Sequence, residues 1–241
     1  MPLDDKEVQS SYPPTEEPVY FGYKTNWFAV KAGDGAIIAA LVGVGDAKPA
    51  SWRDGLEQVY AEQDAVFVSP PHEGWIFVVG RDLPYPVDAD RNDRTGDHLK
   101  KGAEFRRLFG VLADHFGDVQ FFGTNHVSDF SAWAKAEDGK AVRVFCFEGS
   151  VGEVYANEGR QTAEEARLGL VDPGPRSPAE ACDYLFELEG SERDLEGDAE
   201  VEPHALPGEE DVVNLAGLWS VNPLDLSEPT GVGVLGIVER D

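Results

Sequence analysis

Apolar and polar positions follow two different periods along the chain, and each period predicts a different kind of element. Residues 65–69 and 75–80 are apolar, β-favouring runs separated by a segment that contains Pro-Pro-His-Glu-Gly. Two such runs around a proline- and glycine-containing segment predict an antiparallel hairpin. The second run is apolar at successive positions, which predicts a strand buried on both faces inside a sheet.

Helical spacing is clearest from residue 97 to Gly117, which supplies a stop signal. The apolar positions with this spacing are Leu99, Phe105, Leu108, Phe109, Leu112 and Phe116. Shorter helices are predicted over 36–43, 51–63, 162–170, 177–190 and 208–222. Ser51, Thr162 and Ser177 are placed to act as N-caps, because their side-chain oxygens can accept from the first free backbone N–H groups.

Further strands are predicted near 20–31, 119–125, 127–136, 141–149 and 152–159, with an Asp-Gly hairpin turn at 138–139. The sequence therefore predicts one α+β domain over residues 20–241. Its sheet would hold about five to seven mostly antiparallel or mixed strands, with helices packed mainly on one side. Two lobes, residues 20–90 and 91–241, are the alternative. Residues 1–19 are predicted to be a flexible acidic tail, and 187–211 a solvated acidic loop.

The charge changes this picture more than any other part of the composition. The chain of 241 residues carries 46 acidic and 20 basic side chains, a formal net charge of −26. Such a charge repels nucleic-acid phosphates and anionic lipids at long range, so direct nucleic-acid binding and membrane-surface binding are not expected. It favours solubility, attraction of a basic partner, or collection of cations.

The compartment is predicted from what the sequence lacks. Cys146 and Cys182 do not form a disulfide framework, and Cys146 lies in an apolar run where a buried free thiol is expected. Neither a secretory leader nor a run of about 18 apolar residues occurs. We therefore expect a cytoplasmic protein, and we expect no cofactor.

Two local motifs match the spacing of a known ligand-binding loop, but each lacks a part that such a loop requires. Gly231, Gly233 and Gly236 match the spacing of a dinucleotide-binding loop, but the chain ends before a following helix, so a flexible glycine turn is predicted. The segment 88–97 has oxygen-bearing side chains at the spacing of a calcium loop but lacks its glycine and its last glutamate. The candidate ligands are Asp88, Asp90, Asn92 and Asp97, although an acidic loop leading into a helix explains the same residues.

Histidines supply the candidates for acid/base chemistry, although none of the five has zinc-site spacing. His72 and Glu73 lie between the two strands of the first hairpin, where an exposed tip is predicted. His126 and Asp129 lie in a predicted strand, and the two-residue period of a strand would place them on opposite faces. A site would then need groups from elsewhere in the fold.

Basic residues concentrate in the helix after residue 97, at Lys100, Lys101, Arg106 and Arg107. They could bind an anionic ligand or a partner, but a solvated helix face paired with Asp97, Glu104 or the acidic loop is the favoured interpretation. The aromatic residues that could anchor a partner are Tyr12, Tyr20, Trp133 and Trp219, although aromatic residues at these spacings more often lie in the core.

Two hypotheses of function follow. The first is a non-enzymatic interaction protein of the bacterial cytoplasm, such as an immunity protein or antidote that blocks a basic toxin or nuclease. Its partner-binding candidates are His72, Glu73 and the four basic helix residues. The second is a small metal-assisted or acid/base enzyme with a site built from residues 72–73, 88–97 and 125–129.

Overall fold

The computed structural model describes residues 19–31, 33–89, 96–190, 203–227 and 229–238. The strands in these ranges are β1 (Asn26–Lys31), β2 (Val44–Ser51), β3 (Ala65–Val68), β4 (Trp75–Gly80), β5 (Val119–Asn125), β6 (Phe130–Glu137), β7 (Lys140–Glu148), β8 (Glu153–Gly159) and β9 (Val232–Val238). The helices are α1 (Gly35–Val42), α2 (Trp52–Ala61), α3 (Asp97–Phe116), α4 (Ala163–Arg167), α5 (Pro178–Glu189) and α6 (Glu209–Trp219).

All nine strands join one antiparallel sheet in the order β2-β9-β3-β4-β1-β5-β6-β7-β8. The α+β class and the antiparallel sheet are confirmed, but the expected number of five to seven strands was too low. One sheet spans both halves of the chain, because β1 pairs with β4 on one side and with β5 on the other.

The two strands that the sequence did not predict are β2 and β9, which pair with each other. β2 has the sequence VGDAKPAS and lies at the sheet edge with most of its residues exposed or half-buried, so it shows no apolar alternation. β9 contains Gly233 and Gly236, two of the three glycines that were expected to form a flexible turn. A Cβ on Gly233 would lie 2.3 Å from the Val68 carbonyl oxygen, so this glycine permits close pairing with β3.

Helices cover both faces of the sheet, and the expectation that they pack mainly on one side was wrong. Alternate residues of β1 show this directly, since Trp27 and Ala29 join one core cluster and Phe28 and Val30 the other. The first cluster includes residues of α2, α5 and α6. The second includes residues of α1 and α3. A sheet whose inner strands are apolar on both faces requires cover on both sides.

The strand register defines two ends of the sheet. Asn26 pairs with Gly80 on one neighbour and Gly123 on the other, whereas Lys31 pairs with Trp75. We call these the Asn26 end and the Trp75 end. The β5–β6 turn lies at the Asn26 end and the β3–β4 turn at the Trp75 end.

Several local predictions are confirmed. Ser51, Thr162 and Ser177 cap α2, α4 and α5, and the latter two helices begin with complete capping boxes. Cys146 and Cys182 are free and buried, and burial raises the pKa of the Cys146 thiol well above its usual value. Among the described residues, no helix has the length and apolar character needed to cross a membrane.

Two predicted flexible segments fall largely outside the described residues. The predicted tail lies there except for residue 19, and so do residues 191–202 of the predicted acidic loop. The flanks of that loop are helical, because 187–189 belong to α5 and 209–211 to α6.

Candidate functional site

The β3–β4 turn contains His72 and Glu73, and only Glu73 is exposed. His72 and Trp75 exchange two backbone hydrogen bonds, with Glu73 and Gly74 in the left-handed region between them. The His72 side chain is 10% exposed and its ring lies 6.0 Å from that of Trp52, whereas Glu73 is 58% exposed. The prediction of an exposed tip was wrong for His72, because its ring folds back onto the core.

The segment 126–129 is a turn, so the expectation of a strand there was wrong. The Asn125 side-chain oxygen accepts from the Val127 N–H (3.1 Å), and the Asn125 carbonyl accepts from the Ser128 N–H (3.2 Å). These two hydrogen bonds form a turn that reverses the chain direction before β6 begins. His126 is left half-exposed, with Nδ1 3.6 Å from Oε2 of Glu209.

The three segments of the enzyme hypothesis do not converge. Residues 72–73 lie at the Trp75 end, and residues 125–129 at the Asn26 end. The five strand steps from Trp75 to Gly80 alone span about 17 Å. His72 and Glu73 therefore cannot share one reacting atom with His126 and Asp129.

Of the four candidate metal ligands, the two that the structure describes each accept from a basic side chain of α3. Asp90 and Asn92 lie outside the described residues. Asp88 accepts from the Arg106 guanidinium, and Asp97 from Lys100 (3.1 Å). In the described ranges, no group of three or more His, Cys, Asp or Glu side chains is arranged to hold a metal ion.

Ion pairs with nearby carboxylates occupy three of the four basic side chains of α3. Lys100 binds Asp97, Lys101 binds Asp82 (3.1 Å), and Arg106 binds Asp88 and Glu158. Arg107 lines a small cavity of about 170 Å³ beside Leu108. The structure thus favours the pairing interpretation of this helix.

A different site emerges at the Asn26 end, where α5, α6 and the β5–β6 turn surround a groove of about 640 Å³. We call it the acidic groove. Its carboxylates are Asp129, Glu209, Glu210 and Asp211, and no lysine or arginine of the described ranges lines it. Apolar side chains line the remainder, among them Tyr23, Phe147, Phe186 and Leu206. The groove therefore combines negative charge with aromatic surface.

The N-terminal turn of α6 positions three of these carboxylates. The Asp211 side chain accepts from the Gly208 N–H (2.8 Å) and contacts Nε2 of His204 (3.0 Å). Glu209 is 19% exposed, and its Oε1 atom is buried without a hydrogen-bond donor among the described residues. Asp129 and Glu210 are the exposed carboxylates of the groove, and they are the ones that a ligand can reach.

Exposed aromatic residues continue the groove on one side. Tyr20, Tyr23 and Tyr60 line an adjoining cleft of about 220 Å³, which shares Tyr23 and His126 with the acidic groove. Tyr20 is 59% exposed, and the Tyr60 hydroxyl donates to the Tyr23 carbonyl (3.0 Å). We call these three residues the tyrosine cleft. It presents rigid aromatic surface directly beside the carboxylates.

The Tyr60 hydroxyl makes stability depend on pH at the alkaline end. Desolvation by burial raises the pKa of Tyr60 from 10.0 to about 12. Because the folded pKa is the higher one, this contribution to stability is fully present below pH 10 and is lost as the pH rises through 12. We expect the free energy of unfolding to fall across this window, and to fall less in Tyr60→Phe. Urea denaturation at several alkaline pH values measures this, and equal slopes in both proteins would contradict it.

The sequence alone gave only part of this site. It selected His126, Asp129 and Tyr20, but it missed Glu209, Asp211 and Phe186. The sequence Gly-Glu-Glu-Asp at the start of α6 predicts the end of an acidic loop and the start of a helix. It does not indicate that the three carboxylates line one groove. No family model matches the chain, and comparisons with curated proteins and with solved structures give no match.

Proposed function

We propose that this chain is a non-enzymatic, cytoplasmic interaction protein that binds a basic protein partner through the acidic groove and the tyrosine cleft. An immunity protein or antidote that blocks a basic toxin or nuclease has this chemistry. The observation that carries the proposal is the meeting of four carboxylates and several exposed aromatic side chains in one place, where Lys24 of the tyrosine cleft is the only lysine or arginine among the described lining residues.

Both parts of the surface suit such a partner. An arginine or lysine entering the groove would meet the exposed carboxylates of Asp129 and Glu210. The same cation would pass the faces of Tyr23 and Phe186, where cation–π attraction adds to the ion pair. Tyrosines with little conformational entropy to lose are frequent anchors of protein interfaces.

The net charge of −26 supports the proposal because it would increase the rate of association with a basic partner. A negative field around the groove would steer a basic protein to it and raise the association rate at low salt. Close contacts in the groove would then set the dissociation rate. The complex is accordingly expected to form faster and bind more tightly as salt is lowered.

Reversing one groove charge tests this proposal. Glu210→Lys places a cation at the second residue of α6 and should weaken the complex at least about tenfold, because a like charge now faces the basic partner. The measurement is affinity purification of the tagged chain from its host at low salt, followed by titration of the captured partner.

Glu164→Lys is the matched control, since Glu164 is the second residue of α4 and does not line the groove. The proposal requires a partner of high isoelectric point that binds wild type and the control equally and Glu210→Lys poorly. A partner retained equally by both variants, or only acidic partners, would overturn it.

A further inference from the structure

A second pocket lies at the same end of the sheet, on the other side of the β5–β6 turn. Val127 and Ser128 of this turn line it, whereas His126 and Asp129 line the acidic groove. The pocket measures about 380 Å³, within the usual range for small-molecule sites. We call it the cationic pocket.

The charge of the cationic pocket is opposite to that of the chain. Lys24, Arg81 and Lys101 line it, against the two carboxylates of Asp82 and Glu148. Three positive and two negative side chains leave a formal charge of +1, in a chain whose total is −26. Such a local reversal indicates that these cations serve a purpose other than general solubility.

Two of the three cations lack a carboxylate partner in the described part of the chain. Lys101 is paired with Asp82, and Glu148 accepts from the Tyr155 hydroxyl (2.7 Å). For Lys24 and Arg81 no carboxylate oxygen of the described residues lies within ion-pair distance, and Arg81 donates to the Tyr60 carbonyl (3.3 Å). An anionic ligand in the pocket would therefore meet two cations that have no described carboxylate at ion-pair distance.

Polar and aromatic groups complete the pocket. Gln63, Asn125 and Ser128 line it. The Asn125 oxygen is occupied by the Val127 N–H, so its amide NH₂ is the half that remains to donate. The rings of Tyr85 and Phe130, with centroids 4.9 Å apart, supply an apolar wall.

We propose that the cationic pocket binds a small sugar phosphate, or a phosphate monoester of similar size. Lys24 and Arg81 hold the phosphate group, because a guanidinium fork and an ammonium match its oxygen atoms. Asn125 and Ser128 donate to the ligand, Glu148 accepts from its hydroxyls, and Tyr85 contacts its carbon skeleton. This proposal does not rest on the partner-binding function, although Lys24 lines both the cationic pocket and the tyrosine cleft. Arg81 lines only the cationic pocket of the two, so its variant tests this proposal separately.

Calorimetric titration with ribose 5-phosphate tests it, with ribose and inorganic phosphate as separate arms. The titration is made at about 150 mM salt, where the Debye length is about 8 Å and repulsion by distant carboxylates is screened. We expect one site with a dissociation constant of about 0.1–1 mM. Inorganic phosphate should bind more weakly, and ribose should not bind measurably.

Lys24→Gln and Arg81→Gln should each weaken ribose 5-phosphate binding about tenfold or more. Lys140→Gln is the control, because Lys140 is exposed at the Trp75 end, where β6 and β7 are joined. Thermal melts verify that all three variants fold. Absence of saturation up to about 10 mM, equal binding of ribose, or unchanged binding in both pocket variants would overturn the proposal.

Discussion

Glu165→Ala is expected to lower the free energy of unfolding by about 3–5 kcal/mol. Glu165 and Arg143 form an ion pair in which both side chains are 1% exposed, with Nε of Arg143 2.9 Å from Oε1 of Glu165. The same oxygen accepts from the Trp133 indole N–H (2.9 Å). Removing the carboxylate leaves the Arg143 charge buried without its counter-ion, which is the costly outcome for a buried pair.

The substitution also removes a helix cap. Oε2 of Glu165 accepts from the Thr162 N–H (2.8 Å), and this bond is one half of the capping box that starts α4. Arg143 keeps its bonds to the Asn157 side chain and the Glu158 carbonyl, and these bonds do not neutralise its charge.

Two variants separate these contributions, and urea denaturation with its midpoint and slope measures all three proteins. Glu165→Gln keeps the shape and the acceptor contacts of one of the two oxygens, so it should be less destabilising than Glu165→Ala. Glu164→Ala, on the same helix, should stay within about 0.5 kcal/mol of wild type. A loss below about 1 kcal/mol for Glu165→Ala would show that the buried pair is not a major source of stability.

Local signals in the sequence predicted much of the fold. The β3–β4 and β6–β7 hairpins, the long helix α3 and the three side-chain caps depend on residues within a few positions of one another. Turn chemistry, apolar period and capping are all short-range, so one sequence is sufficient to find them. The α+β class follows from the same elements.

Long-range pairing is what the sequence did not reveal. β2 and β9 come from opposite ends of the described chain and pair with each other at one edge of the sheet. Neither has the apolar alternation of an ordinary strand, because β2 is largely exposed and β9 is interrupted by glycines that fit against its neighbours. The buried ion pair of Glu165 could not be predicted either, because a glutamate in the first turn of a helix normally indicates only a cap.

The candidate site depended on the same long-range information. The acidic groove joins the turn at 126–129, Phe186 of α5 and the start of α6, which are distant along the chain. Its one local clue was Asn125, whose side chain starts a turn, but the neighbouring residues were assigned to a strand. The cationic pocket likewise joins Lys24, Arg81 and Ser128 only when β1, β4 and β5 pair.

Substituting alanine for glycine in α3 should give the second large change in the free energy of unfolding. The change should have opposite signs at two positions of the helix. A Cβ on Gly102 would lie 1.8 Å from the Val87 carbonyl oxygen and 2.8 Å from its carbon. Val87 is itself buried, so neither backbone can yield without moving the helix or the segment before it. We expect Gly102→Ala to lower the free energy of unfolding by about 2–3 kcal/mol.

Gly110 lies two turns further along the same helix, and a Cβ there would meet nothing within 4 Å. Alanine removes the conformational freedom that glycine has in the unfolded chain, so Gly110→Ala should raise the free energy of unfolding by about 0.5–1 kcal/mol. Urea denaturation of both variants, made side by side, gives the two values. If Gly102→Ala were as stable as wild type, α3 could not lie against Val87 at the distance that the structure shows, and the packing of this helix on the sheet would need revision.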